Sequence, residues 1–169
     1  MKIIDNFLSE EYFKTIQDHM MGDRCAWRWS DGINDPGDGK WQFCYSMFDR
    51  YGVGIQDEFF GFIEPMLHKM DEHVPVKETF QSSLLRIKAN LNPKTIEHQH
   101  GGWHIDHNDA TTAIFYINTN NGWTNFKNGD RVESVENRMV IFDSNLEHEG
   151  VTCTDEQRRV LINFNYVPA

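Results

Sequence analysis

The chain has 169 residues and a net charge of −10; 39% of its residues are hydrophobic, and 13% of the chain is aromatic. That length and apolar content suit one globular domain with a core of its own, residues 1–169. The acidity argues against a nucleic-acid backbone as partner, since that binding needs clustered Lys and Arg. No run approaches the roughly 18 apolar residues of a membrane helix.

In chain order, Ile3-Ile4 reads as a short strand, with no long apolar leader around Met1–Asp5. Ser9 is a candidate N-cap for a helix that places Glu10 and Glu11 in its positive first turn. Tyr12, Phe13, Ile16 and Met20 give its apolar spacing, and Gly22 ends it. Residues 26–29 and 41–46 suit strands, and Ser30–Lys40 between them is a loop by composition, able to serve as a lid. A second helix is expected over 56–72, where Pro65 would kink or split it.

From residue 84 the pattern changes to short strands: 84–91, 102–107, 111–118, 123–127, 130–135, 138–142, 147–152 and 158–166. Asn120-Asn121-Gly122 and Asn128-Gly129-Asp130 are strong turn signals. Eight such strands suit a double-stranded β-helix, or jelly roll. The fold expected is mainly β (α+β), with support in 1–83, the jelly-roll core in 84–166, and both helices on one outer face. Cys25, Cys44 and Cys153 are odd in number and far apart, which argues against a disulfide framework or a zinc knuckle and for a cytoplasmic protein with reduced thiols.

The chemistry concentrates in the second half. In the strand expected over 102–107, His104 and Asp106 project to one side. His148 follows from a separate strand, and Arg159 opens the last one. Two imidazoles and a carboxylate can hold one face of an Fe(II) ion and leave other positions open. A guanidinium behind them grips a carboxylate with parallel hydrogen bonds, as a dicarboxylate co-substrate such as 2-oxoglutarate would require.

Alone, the His-x-Asp pair is as well explained by a surface His beside a turn-forming Asp; His148 and Arg159 behind it give it weight. In the last strand, Arg159, Leu161, Asn163 and Asn165 share one face against the apolar Val160, Ile162, Phe164 and Tyr166. Polar groups aligned in a hydrophobic strand need partners, which a ligand-lined interior supplies. The same alternation prefers Arg159 to Arg158.

His98 and His100 form a rival pair, of the kind a cupin-like metal site would use, but Gly101-Gly102-Trp103 follows where a carboxylate is wanted. Gly102 also breaks the HxHxDH zinc-hydrolase pattern. A non-catalytic binding domain is the other alternative. Trp27, Trp29 and Trp41 read as core rather than as a substrate platform.

Over nearly its whole length the chain resembles the Fe(II)/2-oxoglutarate dioxygenases, in particular the small prolyl-4-hydroxylase-like branch of bacteria and viruses. The resemblance is carried by Ile4-Asp5-Asn6-Phe7-Leu8-Ser9, His104-Ile105-Asp106, Ala113–Asn118, Gly122–Phe126 and Arg159–Phe164, in the family's order. It implies Fe(II) on His104, Asp106 and His148, with 2-oxoglutarate and O2 as co-substrates. It also implies that Arg159 takes the distal carboxylate with help from Tyr116, that Thr124, Asn163 and Asn165 line the same pocket, and that Asn90 lies near the metal-binding end of the co-substrate. The reaction implied is hydroxylation of a C–H bond in a peptide, protein or small molecule, with a prolyl residue favoured. Asn165 departs from the family, which often has Trp or another bulky group there.

Overall fold

The computed structural model describes residues 1–52, 58–74 and 83–169. Its strands are β1 (Lys2–Ile4), β2 (Arg28–Ser30), β3 (Gln42–Asp49), β4 (Leu84–Pro93), β5 (Thr111–Tyr116), β6 (Trp123–Phe126), β7 (Arg131–Glu133), β8 (Arg138–Asp143), β9 (His148–Val151) and β10 (Arg158–Tyr166). Its helices are α1 (Glu10–Met21) and α2 (Glu58–Asp71). A seven-stranded sheet of order β1-β8-β5-β10-β4-β3-β2 faces a three-stranded sheet of order β7-β6-β9, and neighbouring strands in both pair antiparallel. This is a mainly β jelly roll carrying two helices.

Both helices lie on one face of the large sheet. Phe13, Ile16 and Met20 of α1, with Phe59, Ile63 and Met70 of α2, share a core with Ile87, Phe115, Val160, Ile162 and Phe164. The opposite face supplies Ile114, Tyr116, Val140 and Leu161, which pack with Phe126 and Val132 of the small sheet. The alternation read in β5 and β10 therefore divides the two cores.

Local chemistry explains the element ends. Ser9 Oγ accepts from the Tyr12 amide at 3.4 Å. Gly22 ends α1 without a left-handed turn; a Cβ there would stand 2.6 Å from the Asp18 carbonyl, so only glycine fits. α2 runs through Pro65 unbroken. Pro65 is exposed, as is Gly61, whose carbonyl it leaves without a helical donor and water can serve. Gln56 and Asp57, the expected start of this helix, lie outside the described residues.

One expected strand differs. Residues 102–107 form no strand; His100 and His104 each make an isolated bridge, to Val151 and His148. Gly102 between them adopts φ +97°, a left-handed conformation that interrupts the extended run.

Candidate active site

His104 and His148 exchange both backbone hydrogen bonds, His104 N to His148 O and His148 N to His104 O, each at 3.0 Å. That pairing sets the imidazoles side by side, with ring centroids 4.5 Å apart. Asp106 lies at a bend two residues on. One ligand atom from each of His104, Asp106 and His148 lies within 4.8 Å of the others, the only such grouping of three found among the described residues.

The surroundings suit a metal. His104 Nδ1 is 3.0 Å from the Gly102 carbonyl and His148 Nδ1 is 3.1 Å from that of Leu146. Each ring thus donates Nδ1–H to the backbone and keeps the Nε2 lone pair for an ion. Asp106 Oδ1 accepts from Arg86 Nη2 at 3.0 Å, and Oδ2 accepts from Asn163 Nδ2 at 3.0 Å and Thr112 Oγ1 at 3.1 Å. Burial alone would raise the Asp106 pKa, but His148, Arg86, the Asn163 hydrogen bond and His104 together hold it at about 2. Burial depresses His148, against the pull of Asp106. The carboxylate is charged and the imidazole neutral at ordinary pH, as metal ligation requires.

Arg159 is 1% exposed. Its Nε donates to Ser134 Oγ at 2.8 Å, and its Nη2 donates to Thr124 Oγ1 at 3.0 Å and the Trp123 carbonyl at 3.2 Å. No carboxylate among the described residues pairs with it, and burial disfavours its charge. Two glycines make its space: a Cβ on Gly122 would lie 2.8 Å from Arg159 Cδ, and one on Gly150 would lie 3.3 Å from Nη1. Arg158 points elsewhere and donates to the Met21 carbonyl at 2.6 Å.

The guanidinium and the three clustered ligands line one cavity of about 710 Å³, together with Thr124, Asn163 and Asn90. Tyr116 and Asn165 stand behind its wall. The Tyr116 hydroxyl is 2.8 Å from Thr124 Oγ1, and burial keeps it a neutral phenol. Asn165 accepts from Arg86 Nε and donates to Thr112 Oγ1, both at 3.0 Å, so it braces two of the three side chains that hold Asp106. Asn90 Oδ1 is 3.6 Å from Cys44 Sγ.

The rival imidazoles are engaged separately. His98 Nδ1 meets the Thr152 carbonyl at 2.7 Å, and His100 Nδ1 meets Glu149 Oε1. Glu149 is buried and also accepts from Asn125 Nδ2 and the Gly102 amide, fixing the segment that leads into His104. Trp29 and Trp41 are not core as read from sequence; they stack on one another at 4.7 Å and are 57% and 44% exposed. Trp27 packs against the helix-side core.

Sequence reading missed Arg86, Thr112, Ser134 and Glu149. Arg86 carried a signal: it alternates with buried Leu85 and Ile87 in a strand, the same pattern that picked out Arg159. Ser134 lies in a loop beyond β7, where no periodicity marks it.

Comparison with solved structures bears on the fold. No family model and no curated protein matches the sequence. The chain is similar to a 2OG-Fe(II) oxygenase family oxidoreductase from Burkholderia pseudomallei (TM-score 0.70, 10% identity, covering 98% of this chain and 84% of that one). It is also similar to a Pseudomonas putida prolyl-4-hydroxylase (TM-score 0.63, 15% identity, 99% and 92% covered). A third match is a Trichoplax adhaerens prolyl hydroxylase in complex with a hypoxia inducible factor oxygen degradation domain peptide fragment (TM-score 0.67, 14% identity, 99% and 83% covered). The chain has the fold of the 2-oxoglutarate/Fe(II) oxygenases.

Proposed function

We propose that this chain, acting as one catalytic unit over residues 1–169, is an Fe(II)- and 2-oxoglutarate-dependent oxygenase that hydroxylates a substrate C–H bond. The observation that carries the reading is a buried Arg159, without a carboxylate partner among the described residues, in the cavity that also holds His104, Asp106 and His148. A buried guanidinium is costly unless a counter-charge meets it, and a dicarboxylate chelated at the metal would supply one. Iron at these ligands, with 2-oxoglutarate and O2, would supply the oxidising power, the co-substrate leaving as succinate and carbon dioxide.

The protein's own residues do the positioning. Arg159 takes the distal carboxylate. Ser134, Thr124 and, through Thr124, Tyr116 fix the guanidinium. Asn163, Arg86 and Thr112 orient Asp106, with Asn165 behind them. Leu161 and Ile114 line the cavity and exclude water. Asn90 faces the same space and is assigned to the metal-binding end of the co-substrate.

For the substrate, we assign a prolyl residue in a peptide or protein. The likeness to two prolyl hydroxylases, one of them peptide-bound, supports this choice. The Ser30–Lys40 loop supports it too, because it borders the cavity and is tied to the metal-bearing segment. Asn34 Nδ2 donates to the Gly101 and Gly102 carbonyls, and Lys40 Nζ to that of Gly101 at 2.8 Å. Asp38 organises the loop by accepting from the Ile33, Asn34 and Lys40 amides. We assign it the role of a lid over an extended chain.

The test is succinate release from 2-oxoglutarate with Fe(II) and a proline-rich peptide library, followed by mass analysis of the peptides. Peptide-stimulated succinate with one added oxygen on proline is expected. Stimulation by a non-prolyl compound alone would replace the substrate. Absence of any 2-oxoglutarate turnover or binding would overturn the oxygenase reading.

A further inference from the structure

The cavity has a charge that the chain as a whole does not. The sequence carries 26 Asp and Glu against 16 Lys and Arg. The cavity lining nonetheless includes Lys40, Arg86, Lys88, Lys94 and Arg159, and among the described residues its one carboxylate is Asp106. Asp106 is already paired with Arg86. If Arg159 meets the distal carboxylate of the co-substrate, the three lysines remain in excess.

Lys88 differs from the other two. Lys40 Nζ donates to the Gly101 carbonyl and Lys94 Nζ to the Asp155 carbonyl. The Lys88 ammonium makes no hydrogen bond or ion pair with the described residues, although the residue is half-buried on a central strand. Along β4, Ile87, Ala89 and Leu91 face the helix-side core, which leaves Arg86, Lys88, Asn90 and Asn92 on the cavity side. Lys88 stands directly opposite Asn163 of β10, the residue whose Nδ2 holds Asp106. Directly opposed residues have Cβ atoms about 5 Å apart. The ammonium is thereby within a side chain's reach of the space over the metal ligands. Packing gives no reason for a lysine there, since an apolar residue would bury without desolvating a charge.

We propose that Lys88 is the centre of an anion subsite for the primary substrate, with Lys40 and Lys94 at its rim, separate from the Arg159 carboxylate site. The molecule oxidised therefore bears a carboxylate or phosphate near the reacting C–H bond. This rests on the oxygenase reading above and narrows its substrate to anionic compounds, including prolyl peptides with acidic neighbours.

The test is calorimetric titration of the full chain loaded with Mn(II) and N-oxalylglycine, an unreactive dicarboxylate that occupies the Arg159 site. Inorganic phosphate is the probe, with chloride balancing ionic strength. One phosphate per chain is expected, weakened about 10- to 100-fold in Lys88→Gln as the loss of a charge-assisted hydrogen bond implies, while Mn(II) and N-oxalylglycine affinities stay unchanged. Equal phosphate binding by wild type and variant, or no saturable phosphate binding, would overturn the subsite. If N-oxalylglycine does not bind the wild type, the co-substrate reading fails instead. The same titration in an Arg159→Gln background then decides the Lys88 subsite by itself.

Competition identifies the source of the anion. Displacement of phosphate by Ac-Asp-Pro-Asp-NH2 but not by Ac-Asn-Pro-Asn-NH2 supports an acidic peptide. Displacement by free N-acetylproline alone supports a small carboxylate.

Discussion

On β10, Val160, Ile162, Phe164 and Tyr166 face the helices, while Arg159, Leu161, Asn163 and Asn165 face the small sheet, and both rows are buried. Equal burial hides opposite demands. Apart from the Tyr166 hydroxyl, the helix-side row asks only for close packing. The other row must find partners for every polar atom, and it finds them unevenly. Asn165 is bonded on both sides of its amide. Asn163 donates to Asp106 but leaves Oδ1 buried without an acceptor's partner. Arg159 has three neutral acceptors and, among the described residues, no carboxylate. Asn163 lacks a partner for its oxygen and Arg159 lacks a counter-charge, whereas Asn165 lacks neither. In a native core such deficits mark places where a bound molecule completes the set.

The sharpest way to break this contrast is to exchange the kinds of damage. Asp106→Ala should reduce turnover to background and leave folding intact, checked by succinate release beside thermal unfolding. Retained activity would remove the ligand assignment. Phe164→Ala, on the other face, should cost about 3–5 kcal/mol of stability, in line with large-to-small core changes, as read by denaturant unfolding. Its folded fraction should still bind metal. A loss of metal binding with no loss of stability would erase the division between faces.

Arg159→Gln should raise the 2-oxoglutarate requirement about 10- to 100-fold, the loss of one or two charge-assisted bonds, with iron affinity little changed. Arg158→Ala should leave that requirement alone, because its guanidinium binds the Met21 carbonyl. The reverse pattern would exchange their roles.

The smallest effect expected is on the pH dependence of the apo-protein. His148 is depressed by burial, so its contribution is fully present above the ordinary imidazole pKa of about 6.5 and is lost as pH falls below it. Asp106, held at about 2, contributes above the ordinary carboxylate range and loses that contribution only as pH falls toward 2. Unfolding of Asp106→Asn and His148→Gln across pH 3–8 separates them. Stability of the wild type that rises on acidification through pH 6 would contradict the sign for His148.

Much of this was legible in the sequence, for reasons visible in single residues. Strict alternation in β5 and β10 assigned each side chain to its face because strand geometry has a period of two. Ser9, Glu10 and Glu11 marked the start of α1 through capping and the helix dipole. The segment around His104 was misread as a strand because Gly102 at φ +97° breaks the run, and alternation carries no information about backbone sign. His104 and Asp106 still converge, through a bridge to His148 and a bend. Trp29 and Trp41 were misjudged because an aromatic at an edge satisfies itself by stacking on its neighbour. Ser134, Gly122 and Gly150 could not be found by periodicity; their roles arise only when Arg159 reaches across to the small sheet.

The most direct test of the central claim is made without oxygen. Fe(II) and then 2-oxoglutarate are added to the apo-protein while the visible charge-transfer absorption of the chelate is followed. A band is expected in the wild type that is absent in His148→Ala and needs far more 2-oxoglutarate in Arg159→Gln. Tight iron binding with no band at saturating 2-oxoglutarate would contradict it.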